Sequence, residues 1–299
     1  MDKIVHHTAC PVCNHRGINP LMTVKDHTVS AENFVIWQCS KCTLRFTQDA
    51  PDENAIAKYY QSEDYISHTN SVKGFINKLY QSVRKITLKK KSELVKETTG
   101  FKTGQLLDVG CGTGAFLHAM QQSGWGVKGV EPDKGARVIA AKLYGLNIDP
   151  SSHLGELPES AFDAITLWHV LEHVHPLHEY INQLKALLSK RGKLFIAVPN
   201  YISEDANIYG LHWAAYDVPR HLYHFTPLSM DTLLAKHGLK VIEKKGMWFD
   251  AFYVSMLSSK YQNGKTKLLP SFFNGLRSNI AAMINTYRCS SLIYIIEKT

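Results

Sequence analysis

No stretch of this 299-residue chain approaches 18 uncharged apolar residues, so no transmembrane helix is expected. The opening Met1-Asp2-Lys3-Ile4-Val5-His6-His7 lacks the long apolar segment of a secretory signal, and the expected location is cytoplasmic. No internal repeat is visible. Only 11 prolines and 19 glycines, in a chain 44% hydrophobic and 20% charged, exclude collagen-like, coiled-coil and wholly disordered classes. Acidic residues are also in deficit, 26 against 34 Lys and Arg, for a net charge of +8. The imbalance is local. Nine basic residues lie between Lys73 and Lys102, opposed only by Glu93 and Glu97, and nine more between Lys240 and Thr299. Such surfaces attract nucleic acid, anionic lipid or phosphorylated small molecules. No base-reading motif accompanies them, so a small anionic substrate is the expected partner rather than nucleic acid.

Cysteine is scarce, but four of the six form two pairs, Cys10-Pro11-Val12-Cys13 and Cys39-Ser40-Lys41-Cys42. A two-residue gap lets both thiolates of a pair reach one tetrahedral ion, and two such knuckles make a closed four-sulfur site. Structural zinc is expected; the same ligands also suit an iron centre. With short β-prone segments at Leu21 to Val24 and Asn33 to Gln38, residues 1–50 read as a zinc-ribbon-like element. Cys111 and Cys289 stand apart as packing residues rather than nucleophiles.

Residues 51–103 read as a linker followed by an amphipathic cap helix. Tyr59, Tyr60, Tyr65 and His68 are followed by apolar positions at Val72, Phe75, Ile76, Leu79, Tyr80, Val83 and Ile86, with Lys and Arg on the opposite face. That helix would pack on the next unit, cover a cleft or make peripheral membrane contact. From Gly104 to Thr299, strand and helix patterns alternate in the cadence of an α/β, doubly wound sheet. Between its first strand and helix lies Asp108-Val109-Gly110-Cys111-Gly112-Thr113-Gly114, and Glu131 ends the next strand. Glycines allow a tight turn and close backbone approach by a ligand, while an acidic residue at Glu131 can accept from a ribose diol. The third glycine falls one residue early for a dinucleotide fingerprint. Asp108 suits a ligand carrying a positive group, as a sulfonium nucleoside does.

These residues, with Phe162-Asp163 and Leu171-Glu172-His173-Val174, resemble the class I S-adenosylmethionine-dependent methyltransferases, most nearly the branch of the ubiquinone-pathway O-methyltransferase. The four-cysteine segment is similar to that of some sugar C-methyltransferases. The resemblance implies a Rossmann-like seven-stranded sheet, order 3-2-1-4-5-7-6, with a helical insertion at about 247–288. It implies S-adenosylmethionine held by Asp108, Gly110, Cys111, Gly112, Gly114 and Glu131, with S-adenosylhomocysteine as product. Pro132 and Asp133 would flank the adenine, Leu154 would contact it through its backbone, and Trp168 would flank the methyl group. Relatives can hold a divalent ion on Glu, two residues, then Glu-His. Here His169 replaces the first glutamate, which tilts any such site toward zinc or iron and leaves a catalytic metal open.

Methyl transfer also needs a base for the acceptor, and histidine is suited to that near neutral pH. The candidates are His221 and His224, then His173. Arg220 is expected to anchor an anionic substrate beside Trp213, Tyr216 and His169. The expected reaction is methylation of a hydroxyl on a sugar, nucleotide-sugar or envelope-glycan precursor. Alternatives are O-methylation of a quinone or phenolic lipid precursor, C-methylation of a nucleotide-sugar, and a non-catalytic nucleoside-binding protein.

Overall fold

The computed structural model describes residues 3–61 and 75–299. Tyr65, His68 and Val72 lie outside the described residues. The chain opens with β1 (Ile4–Val5), β2 (Ile18–Lys25), β3 (Asn33–Cys39), β4 (Arg45–Thr47) and β5 (Ala50–Pro51), and β1 pairs with β5. Helix α1 (Phe75–Thr99) follows, and its buried Leu94 and Val95 pack against the main sheet layer.

The main sheet is laid down as β6 (Gln105–Val109), α2 (Ala115–Gln122), β7 (Gly126–Val130), α3 (Lys134–Tyr144) and β8 (Phe162–Trp168). Next come α4 (Leu177–Leu187), β9 (Leu188–Pro199), α5 (Glu204–Tyr209), β10 (Tyr223–His224), α6 (Pro227–Lys236) and β11 (Leu239–Gly246). Two helices, α7 (Asp250–Asn263) and α8 (Leu268–Ile284), precede the last strand β12 (Ser291–Lys298). The sheet order is β11-β12-β9-β8-β6-β7, with β12 antiparallel to both neighbours. Among the described residues it therefore has six strands, not the seven expected. At the edge beside β7, a single bridge from Val130 to Asp149 stands where a further strand was expected.

Strand alternation builds two cores, because neighbouring side chains point to opposite faces. Leu107, Val109, Ile165, Leu167, Ile196 and Val198 face α4 and α6. Leu106, Ala164, Phe195, Ala197 and Ile293 face α1 and α2. Asp108 alternates onto the second face, and its partner in β8 is Thr166. Sheet order reverses on either side of β6 and β8, which opens the crevice where such sheets bind ligands.

The N-terminal strands do not form a detached module. β2, β3 and β4 make a four-stranded antiparallel sheet completed by β10, from the loop that follows β9. Cys10, Cys39, Leu44 and Phe46 share the core that holds Leu107 and Phe225. The loop bearing His221 is therefore braced by the front of the chain.

Candidate active site

The glycine loop follows from backbone demands. Gly110, Gly112 and Gly114 all adopt positive φ, at 67°, 55° and 75°. A side chain at Gly110 would strike Val170, whereas Gly112 faces open space. The loop thus offers a bare backbone edge that a ligand can approach closely. Glu131 draws it together: its carboxylate accepts from the amides of Gly112 at 2.8 Å and Asp133 at 2.9 Å. Burial raises its pKa. Asp108 is buried and accepts from the Thr166 hydroxyl at 2.6 Å. Burial outweighs that bond and pushes its carboxyl up to about 7. Asp133 caps α3 through the Ala136 amide, Pro132 is exposed, and Leu154 is buried in a short 3-10 turn after Asp149.

Trp168 ends β8 edge-on to Phe116, and the Lys91 ammonium lies 4.1 Å from the centre of its ring. Burial lowers Lys91, against the pull of Asp250 and Asp108. Beyond Trp168, His169 takes a left-handed φ of 59°, a conformation uncommon outside glycine and frequent at functional sites. The turn aims its ring between two carboxylates: Nε2 is 3.0 Å from Asp250 Oδ2, and Nδ1 is 3.4 Å from Glu172 Oε1. Burial opposes the charge, but the two acids prevail and raise His169 to about 10.

Glu172 is wholly buried, and neither of its oxygens receives a hydrogen bond among the described residues. Burial would raise its pKa, yet His169, His221 and His173 together hold it low. His221 directs Nδ1 to the Ala215 carbonyl at 2.8 Å, leaving Nε2 as the acceptor nitrogen, 4.0 Å from Glu172. His173 packs edge-on against His221, with Nδ1 3.0 Å from both Tyr60 Oη and the Arg220 carbonyl. Burial, with the His221 imidazole alongside, lowers His173 to about 4. Glu172, His173 and His221 each present a ligand atom within 4.8 Å of the others. His224 does not join them. It lies 3.5 Å from Thr47 Oγ1 against the Tyr216 ring, and burial takes its pKa well below the usual range.

Three substrate contacts expected from sequence are corrected by packing. Arg220 has no exposed side-chain surface; it bonds Asp26, Asp217 and the Tyr59 carbonyl and has no face left for a ligand. Trp213 is buried with its indole donating to Asp205, and Tyr216 is buried with its hydroxyl accepting from Arg45. All three hold the loop in shape. The sequence reading missed Asp250 and Lys91. Asp250 is the sole acid between Glu243 and Glu297, which was a readable signal; Lys91 is hidden in a run of three lysines. Both line a cleft of about 440 Å³ with Leu94, Met247, Trp248 and Phe249.

In the N-terminal element, Cys10 Sγ lies 3.5 Å from Cys42 Sγ, and Cys13 Sγ 3.5 Å from Cys39 Sγ. All four sulfurs fall within 4.8 Å of one another. Tetrahedral four-thiolate zinc needs sulfurs about 3.8 Å apart, so the cluster could hold one such ion. Knuckle amides support it: the Cys13 amide donates to Cys10 and the Lys41 amide to Cys39. Cys111 and Cys289 have thiols raised by burial, so neither is an activated nucleophile.

Residues 72–244 match the family described as a methyltransferase domain. The chain belongs to that family. It is an S-adenosylmethionine-dependent methyltransferase. A ubiquinone biosynthesis O-methyltransferase of Dinoroseobacter shibae is 29% identical to it over 168 residues, covering 52% of this chain and 68% of the relative. One from Rhodopseudomonas palustris is 27% identical, covering 49% and 62%. The C-methyltransferase NovU of Streptomyces niveus is 27% identical over 69% of this methyltransferase and 46% of its own length. The fold is shared with a Burkholderia thailandensis 1,6-didemethyltoxoflavin N1-methyltransferase solved with that compound and S-adenosylhomocysteine. The two superpose with a TM-score of 0.51 at 17% identity, over 92% of this chain and 99% of the other.

Proposed function

We propose that this methyltransferase transfers the methyl group of S-adenosylmethionine to a phenolic or quinol hydroxyl on a largely apolar small molecule. Glu172 carries this reading: a wholly buried carboxylate faced by His169 Nδ1 at 3.4 Å and His221 Nε2 at 4.0 Å, just beyond Trp168 and the glycine loop. His221 Nε2 takes the acceptor's proton as its oxygen attacks the methyl carbon in line with the sulfur. The new O–C bond forms while the C–S bond breaks, and sulfur keeps the electron pair as the neutral thioether of S-adenosylhomocysteine. Glu172 then faces the imidazolium and balances its charge. His169, charged between Asp250 and Glu172, fixes the floor of the site. Glu172, His173 and His221 also form a donor set suited to zinc or iron, and an ion held there would lower the hydroxyl's pKa, with His221 then a ligand. At the four cysteines we infer structural zinc.

The phenolic reading replaces the nucleotide-sugar one because Arg220, the expected anion anchor, is fully paired. The cleft sets Leu94, Met247, Trp248 and Phe249 beside Lys90, Lys91, Lys244 and Lys245, which suits an apolar ring carrying an acidic group, and the ubiquinone-pathway relatives add weight. One observation favours carbon methylation as a second reading: the match to the C-methyltransferase spans more of this chain. A methyl-transfer screen across catechols, prenylated hydroxybenzoates and nucleotide-sugars separates them. Phenols should be the best acceptors, and His221→Ala should cut turnover by about 10²–10⁴-fold while sparing cofactor binding. A nucleotide-sugar as best acceptor overturns the phenolic reading, and full activity of His221→Ala removes the base.

A further inference from the structure

Helices usually bury large apolar side chains and expose polar ones. Helix α8 does the reverse. Its buried positions are Ser271, Gly275, Ser278, Ala281 and Ala282. Its outward face carries Leu269, Phe272, Phe273, Ile280, Met283 and Ile284, which are 51–85% exposed. Helix α7 repeats the pattern, burying Ala251, Ser255, Ser258 and Ser259 while exposing Tyr253 and Met256. The two helices meet through these small residues: a side chain at Gly275 would lie 3.0 Å from the Phe252 Cα. Small residues at the contact and large apolar residues outside is how helices pair where the surroundings are hydrocarbon rather than water. An outward stripe of this length exceeds the scattered apolar exposure normal for a soluble surface.

Charge names the occupant. From Ala251 to Ile296 the chain has no Asp or Glu but has Lys260, Lys265, Lys267, Arg277 and Arg288. Lys265 and Lys267 sit in the exposed turn joining α7 to α8, beside Leu268 and Leu269. Arg277 and Arg288 are paired with Glu204, so the charge at this face comes from Lys265 and Lys267 in the turn. An apolar face with lysines at its edge complements an anionic lipid surface, where headgroups meet the lysines and acyl chains meet the phenylalanines. Among the described residues no helix is long and apolar enough to cross a membrane, so the hairpin would lie in the interface plane. We propose that the α7–α8 hairpin is a membrane-docking element that seats the protein on anionic bilayers. The inference concerns this face alone and does not depend on which acceptor is methylated.

The test is co-sedimentation of the full chain with vesicles of 30% phosphatidylglycerol in phosphatidylcholine and with phosphatidylcholine alone. Sedimentation velocity without lipid runs alongside. Binding to the anionic vesicles should exceed binding to the neutral ones and weaken with salt. Phe272→Ser/Phe273→Ser and Lys265→Glu/Lys267→Glu should each weaken it on the order of tenfold or more. Calorimetric S-adenosylhomocysteine binding, retained in both variants, shows that they are folded. Failure to sediment with anionic vesicles, or equal binding by the phenylalanine variant, overturns the proposal. So does a lipid-free dimer that the phenylalanine substitutions dissociate, since the face would then belong to a second copy.

Discussion

Arg220 shows how far one residue's surroundings can move its role. Its guanidinium holds Asp26 and Asp217 at once, at 2.9 Å and 2.6 Å, tying β2 to the loop before β10. Arg220→Ala would strand two carboxylates in the interior, and removing one partner of such a group costs about 3–5 kcal/mol. Urea unfolding at pH 7 should register that loss, and a variant of unchanged stability with only a higher KM would restore the anchor role. Burial would raise the Asp26 carboxyl, but Arg220 and the Ser30 and Thr28 amides hold it at about 2. With its pKa depressed below the unfolded value near 4, the contribution of Asp26 is full above that pH and lost as pH falls toward 2. Asp26→Asn should lack this part of the acid slope. Sequence could not show the pairing, because Asp26 and Arg220 lie 194 residues apart.

At the scale of elements, the glycine loop and the cysteine knuckles were legible because their chemistry rests on neighbours within a few residues. The start of α6 rests on neighbours in the same way: Thr226 and Ser229 form a reciprocal cap there, with Pro227 at the first helical position. What depends on distant pairing was not legible. The missing sheet strand, the Asp250 contact to His169 and the seating of Trp213 all arise from elements that meet only after folding. The β4–β10 pairing belongs to this class and alters what the metal cluster is expected to do. Thr47 donates to the His221 carbonyl at 2.7 Å, and Arg45 reaches Tyr216 at 2.6 Å, so β4 braces the loop that carries the proposed base. Cys39→Ser should therefore lower turnover as well as stability, with cofactor affinity largely kept. Zinc content, turnover and calorimetry on one preparation check this; normal turnover in zinc-free protein would show that the brace is not needed.

At the scale of the whole molecule, the proposed cofactor loop follows β6, whose Leu106 enters one core and Leu107 and Val109 the other, so ligand binding there should stabilise the entire fold. At a concentration 100 times its Kd, S-adenosylhomocysteine should add about 2.7 kcal/mol. In a chain of this size that raises Tm by roughly 5 °C. At the proposed cofactor site, Asp108 should set the pH dependence. Held at about 7 by burial, it is mostly protonated at pH 6 and ionised at pH 8, and a positively charged ligand favours the ionised form. S-adenosylmethionine affinity should fall as pH drops from 8 to 6 with proton release on binding near neutrality, and Asp108→Asn should flatten the profile. Calorimetry in buffers of different ionisation enthalpy reads both, and a profile that Asp108→Asn leaves unaltered would remove Asp108 from the cofactor site.

The sheet built from β2, β3, β4 and β10 also has a history along the chain. Three of its strands are synthesised within the first fifty residues, but Thr47 and His224 are 177 residues apart. As the chain leaves the ribosome, β4 stays an open edge while most of the methyltransferase sheet is made. Closing so long a loop comes late, because the chain loses that entropy before strand pairing can offset it. These strands are made before the methyltransferase sheet and are among the last parts completed, and the loop bearing His221 takes its shape in that final step.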